Sequence, residues 1–232
     1  PSKHVQPSED DLNSFIKSLK PHSKGEPIEH YDYQEESIKL AVRNERATIL
    51  SSTSSGKSLI IYSLIRWYQS RIKNKILVLV PTTNLVEQMY GDFDDYASEQ
   101  KWCSKDYVHR IMQGKKKYSD KPVYVSTWQS LQKMPKSYFE QFDVIFCDEV
   151  HGASAKVITK IMEFSENASI RIGFTGTLKD LELHQLSIVG LFGDIKRVST
   201  NKELMDRGIV TPLEVKFCML KYDKKICDAI TK

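Results

Sequence analysis

Three segments follow in close order between residues 47 and 67, and few folds accommodate that succession. Ala47-Thr48-Ile49-Leu50 is apolar and β-favouring, and Ser54-Ser55-Gly56-Lys57-Ser58 is a loop of small residues ending in a cation and a hydroxyl. Residues 59–67 are amphipathic with helical spacing. Backbone N–H groups in such a loop point inward around a phosphate, and the helix N-terminus adds partial positive charge. Lys57 then supplies a full charge to the β- and γ-phosphates, and the Ser58 hydroxyl suits Mg²⁺. Ser51 occupies the place of the first glycine in G-x-x-x-x-G-K-[ST]. That departure leaves a second reading open, in which Gly-Lys-Ser merely begins a helix.

A second motif favours the phosphate loop. Phe142-Asp143-Val144-Ile145-Phe146-Cys147 is apolar on both faces, as a central strand of a parallel sheet must be. Asp148-Glu149-Val150-His151 follows it. Two carboxylates at the C-terminal end of such a strand sit where open α/β sheets bind ligands. An Asp there can hold Mg²⁺, and the next Glu can polarise the water that attacks a γ-phosphate. Alone, Asp-Glu after a strand more often starts a solvated helix. Downstream of a phosphate loop, it is the expected second half of an ATPase site.

The rest of the chain permits this reading. Its 232 residues, 40% hydrophobic and 28% charged, suffice for one large α/β domain with a real core. No apolar run is long enough to span a bilayer and no signal-peptide pattern opens the chain. Cys103, Cys147, Cys218 and Cys227 lack C-x-x-C spacing, which suggests reduced thiols in a cytoplasmic setting and no zinc site. A net charge of +4 allows nucleic-acid binding without requiring it.

Along the chain, residues 1–28 stand apart as a helix and linker. Ser8-Glu9-Asp10-Asp11 caps a helix carrying Leu12, Phe15, Ile16 and Leu19, Pro21 ends it, and Ser23-Lys24-Gly25-Glu26-Pro27 reads as linker. Strands and helices alternate from residue 29. Helices are expected over 33–43, 59–67, 85–96 and 156–164, and strands over 47–50, 75–80, 122–126, 143–147 and 170–174. A turn is expected at 128–131. The alternation implies a parallel sheet with helices on both faces over residues 29–211, and residues 212–232 read as a strand and linker.

Further segments add candidates. Pro81-Thr82-Thr83-Asn84 is a strand end and helix start whose hydroxyls and N–H groups suit backbone phosphates. Ser126-Thr127-Trp128-Gln129 offers a similar turn, with an indole able to stack on a base or sugar. Thr175-Gly176-Thr177 ends another strand beside the carboxylates, and in Tyr31-Asp32-Tyr33-Gln34 the amide can face an adenine edge. Trp67 reads as core or half-core. Lys115-Lys116-Lys117-Tyr118 admits two readings, a phosphate-neutralising stretch or a solvated loop.

Taken in order, Gln34, Thr53-Ser54-Ser55-Gly56-Lys57-Ser58, Pro81-Thr82, Thr127-Trp128-Gln129, Asp148-Glu149-Val150-His151 and Thr175-Gly176-Thr177 resemble the motifs of superfamily 2 helicases of the DExH type. The likeness runs from about Pro27 to Thr211. It implies a RecA-like P-loop NTPase fold and an ATP-driven enzyme acting on branched DNA, RNA–DNA hybrids at R-loops and stalled forks. ATP and Mg²⁺ are its implied cofactors. It places phosphate binding on Thr53, Ser54, Ser55, Gly56, Lys57 and Ser58, Mg²⁺ on Ser58 and Asp148, water activation on Glu149 and adenine on Gln34. It places coupling on His151, Thr175 and Thr177, and nucleic acid on Thr82, Thr83, Thr127 and Trp128. It also implies a second RecA-like domain beyond Lys232, carrying arginine fingers, so that the chain reads as the first motor domain of a larger enzyme and hydrolyses ATP poorly alone.

Ser54-Ser55 departs from the glycines common in the superfamily and predicts a stiffer cradle. Two other classes remain in view: a motor subunit of a restriction or repair complex, and an annealing module with a regulatory nucleotide site. Intact Lys57, Asp148 and Glu149 argue against the second.

Overall fold

A computed structural model describes residues 6–52, 54–71, 75–112, 114, 116–150, 155–177 and 182–211. Thr53, Lys115, His151 and the strand expected after Thr211 lie outside the described residues.

Strand β1 (His22–Ser23) and β2 (Glu26–Pro27) form a two-stranded antiparallel pair. Seven strands form the main sheet: β3 (Arg46–Leu50), β4 (Lys75–Val80), β5 (Val108–Ile111), β6 (Val123–Thr127), β7 (Phe142–Cys147), β8 (Ile170–Thr175) and β9 (Ile195–Arg197). Their order is β5-β6-β4-β7-β8-β3-β9, and every pairing is parallel. Residues 75–80 and 142–147 are apolar nearly throughout because both faces of a parallel sheet are covered. Side chains alternate between the two cores: Ile76, Val78, Val80, Val144 and Phe146 face one, and Leu77, Leu79, Ile145 and Cys147 face the other.

Helices α1 (Glu9–Leu19), α2 (Asp32–Asn44), α3 (Lys57–Gln69) and α4 (Thr83–Tyr96) cover the first face. Short α5 (Ser104–Tyr107) leads into β5. The second face carries α6 (Trp128–Leu131), α7 (Lys136–Phe139), α8 (Ala155–Phe164) and α9 (Glu182–Phe192). Helix α10 (Asn201–Asp206) follows β9, opened by a capping box between Thr200 and Glu203. No helix among the described residues is long and apolar enough to cross a membrane.

The separation expected at residue 28 needs correction. The Ser8–Asp11 capping box forms as the sequence implies, with Asp11 N–H donating to Ser8 Oγ at 3.1 Å. The helix it opens is not an appendage, however: Leu12 and Ile16 are buried in the same core as the sheet. Phe15 packs edge-on against Trp67 with ring centroids 4.9 Å apart. The expected linker is the β1–β2 hairpin, and Lys24 N–H is held by the Asp95 carboxylate of α4 at 2.9 Å. An apolar helix face must be buried somewhere, and the outer side of α3 provides the surface.

Strands β5 and β9 were not expected from the pattern. Val-His-Arg-Ile and Ile-Lys-Arg are edge strands, half solvated, so they lack the continuous apolar run that marks the central ones.

Candidate nucleotide site and nucleic-acid groove

The loop after β3 owes its shape to two residues in left-handed backbone conformation, Ser54 at φ +66° and Gly56 at φ +75°. Gly56 is the N-cap of α3; its φ favours glycine, and a Cβ there would also push aside the far end of the Gln34 side chain. Ser54 accepts the same conformation at the cost expected for a side chain in that region.

Ser51, the misfit in the motif, has a structural reason. Its hydroxyl, fully buried, donates to Ser55 Oγ at 2.8 Å and lies 3.1 Å from Ser199 Oγ. Its N–H donates to Thr175 O at 3.0 Å. A glycine could supply only the last of these three links between loop, β8 and the segment after β9.

Lys57 is 9% exposed, with Nζ 3.5 Å from Ser52 O and 3.1 Å from Glu149 Oε1. Glu149 sits at φ +51°, a sharp turn directly after β7. Asp148 is 6% exposed; its N–H extends the β4 ladder by donating to Leu79 O at 2.8 Å, and its Oδ1 accepts the Glu149 N–H at 3.0 Å. Burial pushes the Asp148 carboxyl up to about 6, against the pull of the Lys57 ammonium. The sheet order explains the convergence: β8 lies between β7 and β3, so Thr175 stands between the carboxylates and the loop. The Thr175 hydroxyl donates to Thr177 O at 2.6 Å, which shapes the turn.

Ser58 faces elsewhere. Its hydroxyl lies 2.8 Å from Tyr96 Oη on α4, on the side of Asp92, whose carboxyl it holds down against the upward push of burial. Among the described residues it makes no direct bond with Asp148. A hydroxyl and a buried carboxylate are the oxygen donors a hard dication takes, so Ser58 and Asp148 fit Mg²⁺ in kind. Ser58 must rotate away from α4 to contribute. Ser52 Oγ, buried and unbonded among the described residues, adds another polar atom at the loop.

Gln34 is 3% exposed, and its amide is largely committed to the protein. Oε1 accepts the Tyr31 N–H and Nε2 donates to Ser55 O, each at 2.9 Å. One N–H and one lone pair remain for an adenine edge. Beside it, a cleft of about 520 Å³ is lined by Tyr33, Ser199, Glu203 and Arg207, with Arg207 paired to Asp32 at 2.8 Å.

A second site lies on the same rim, at the ends of β4 and β6. Thr82, Thr83 and Thr127 line one groove of about 620 Å³ together with Lys117, Gln129, Ser130 and Gln132. Thr82 and Thr127 are N-caps of α4 and α6, accepting from Leu85 N–H at 3.3 Å and Ser130 N–H at 3.2 Å. Trp128 does not belong to the groove. It is 3% exposed and buried in the second core, so the expected base-stacking role is corrected. The first residue of α6 points towards the sheet, and an indole there is worth most when packed. Trp67 is core, as expected, at 3% exposure. Gln129 stood in the Thr127-Trp128-Gln129 motif without a role of its own, Ser130 and Gln132 had no signal beyond following it, and Asp92 and Tyr96 had none.

A seven-stranded parallel sheet with a phosphate loop after β3 and paired carboxylates after β7 defines a RecA-like P-loop NTPase domain. The family described as Type III restriction enzyme, res subunit, matches residues 27–180, and the chain belongs to that family. It is a superfamily 2 helicase motor domain. The ATP-dependent DNA helicase uvsW of Enterobacteria phage T4 is 35% identical over 215 residues, covering 93% of this chain and 43% of that relative. This chain thus spans less than half the relative's length. The crystal structure of the UvsW helicase from bacteriophage T4 aligns with a TM-score of 0.75 at 34% identity, over 83% of this chain and 68% of that one. The Hef helicase domain of Pyrococcus furiosus shares the fold, with a TM-score of 0.63 at 18% identity over 78% of this chain and 41% of that one.

Proposed function

We propose that this chain is the first motor domain of an ATP-dependent DNA or RNA–DNA hybrid helicase or translocase acting on branched DNA, R-loops and stalled forks. The observation that carries the proposal is the pair of buried Lys57 with half-buried Glu149 at 3.1 Å, beside Asp148, with a hydroxyl-lined groove on the same sheet rim. In this reading the backbone of residues 53–56 and the Lys57 ammonium hold the phosphates of ATP, and Gln34 offers its remaining amide valences to adenine. Ser58 and Asp148 hold Mg²⁺, which when bound neutralises developing phosphate charge. Glu149, released from Lys57 as the phosphates take that ammonium, orients water and accepts its proton. Thr175, Thr177 and His151 link the nucleotide to strand movement. Thr82, Thr83 and Thr127 bind the nucleic-acid backbone.

A second RecA-like domain supplies arginine fingers, and the site of action is the cytoplasm, the host's where a phage encodes the protein. Likeness to the Type III restriction family favours one alternative, a translocase serving a nuclease. The test is DNA-stimulated ATP turnover in the protein joined to its second motor domain. Lys57→Ala should cost about tenfold or more in nucleotide affinity, since a charge-assisted contact is worth about 1.5–3 kcal/mol. Unchanged nucleotide binding by calorimetry sinks the assignment.

A further inference from the structure

The hydroxyl groove does not end blindly. Gly114, at φ +80° with open space where a Cβ would stand, lines it on one side and lines a second cleft on the other. Lys117 faces the groove, while its neighbour Lys116 faces the second cleft. This cleft, about 440 Å³, lies against the edge strand β5 and is lined by Tyr90, His109, Arg110, Lys116 and Lys121.

Its chemistry is one-sided. The Lys121 ammonium is anchored by donating to Val108 O at 3.2 Å and to Lys105 O, which fixes a charge in the wall. His109 Nε2 donates to Lys116 O at 3.0 Å, tying the lysine loop to β5. The Arg110 guanidinium stacks 3.9 Å over the Tyr90 ring and pairs with Glu87, a half-exposed carboxylate on α4. Among the described residues, three permanent cations, Arg110, Lys116 and Lys121, therefore meet one carboxylate. The Tyr90 face is already covered by Arg110, so the cleft is not a platform for bases. It offers charge and N–H donors, the chemistry of backbone phosphates.

We propose that this cleft is a second phosphate track, which continues the groove across Gly114 and grips the phosphodiester backbone of the same nucleic acid beyond the segment held at Thr82, Thr83 and Thr127. It rests on the reading that the groove binds nucleic acid. A phosphate entering the cleft displaces Glu87 from Arg110, an exposed pair that holds little. The contacts carry no sequence information, so their loss shows in salt dependence rather than in base preference.

The experiment measures affinity by fluorescence anisotropy between about 50 and 200 mM salt, where backbone contacts dominate the slope. The probes are a forked DNA and a single strand just long enough for the groove. Each phosphate contact removed lowers the slope of log affinity against log salt by about 1. Lys116→Ala with Arg110→Gln should lower the fork slope by about 2 and leave the short strand unchanged. If Arg110→Gln lowers the melting temperature, Lys116→Ala alone should still remove about 1. An unaltered fork slope, with the short strand bound normally, overturns the second track alone. If the wild-type protein binds neither DNA, the groove reading falls, and this proposal with it.

Discussion

The loop after β3 and the hydroxyl groove share one rim of the sheet but are built in opposite ways. Around the loop, Lys57 and Asp148 are almost fully buried, Ser51 is wholly so, and the main polar groups bond to one another: Lys57 to Glu149, Ser51 to Ser55, Gln34 to Ser55. In the groove, Thr82, Thr83, Gln129 and Gln132 are exposed and uncharged. Buried charges have strong, mutually dependent energies because little water screens them. Exposed hydroxyls and amides contribute little each and act nearly independently. Changes in the first region should therefore be large and coupled, and those in the second small and additive.

The sharpest contrast concerns Glu149. Glu149→Gln in the complete motor should lower single-turnover ATP hydrolysis by about 10²–10⁴-fold while nucleotide still binds, because the proton acceptor is lost and the broken pair with Lys57 is one that the phosphates replace. Near-wild-type hydrolysis would remove Glu149 from the chemistry. Next in size is the boundary between groove and core. Trp128→Ala should cost about 3–5 kcal/mol of stability, the usual loss for a buried large aromatic. Gln129→Ala should leave the melting temperature alone and weaken nucleic-acid binding only a few-fold. Should Trp128→Phe fold normally yet lose nucleic-acid affinity, the indole would belong to the groove after all.

A third effect tests burial of charge directly. In metal-free protein the Asp148 carboxyl, raised to about 6, keeps its proton in the folded state where the unfolded chain has released it. Its contribution to stability is thus complete below about pH 4 and is lost as pH rises through 6, roughly 2–3 kcal/mol over two pKa units. Asp148→Asn should be more stable than wild type at about pH 7.5 by that amount, with the difference vanishing near pH 4. Denaturant unfolding with a chelator present measures this, and parallel pH profiles for the two proteins would refute it. The smallest effect belongs to Ser58. Tyr96→Phe removes one hydrogen bond holding its hydroxyl at 2.8 Å, worth about 1 kcal/mol, and should tighten Mg·nucleotide binding by up to about fivefold. Weaker binding in that variant would mean that Tyr96 supports Ser58 in its working position.

Much of this was legible in the chain. Central strands were readable from residues 75–80 and 142–147, since burial on both faces demands continuous apolar runs. That the loop at Ser54–Ser58 opens a helix and that Asp148-Glu149 follows a buried strand were readable, because each comes at the end of an apolar β-favouring run. Edge strands β5 and β9 were not, because half-solvated strands carry no such run. Tertiary structure alone decided where ambiguous side chains point. It buried Trp128, turned Ser58 towards Tyr96, committed Gln34 to the loop and folded α1 onto the core. It also set Lys116 and Lys117 on opposite sides of Gly114. Residue type says what a group can bond to; which partner it meets depends on helices and strands far away in sequence, and on the free energy of burying each group among them.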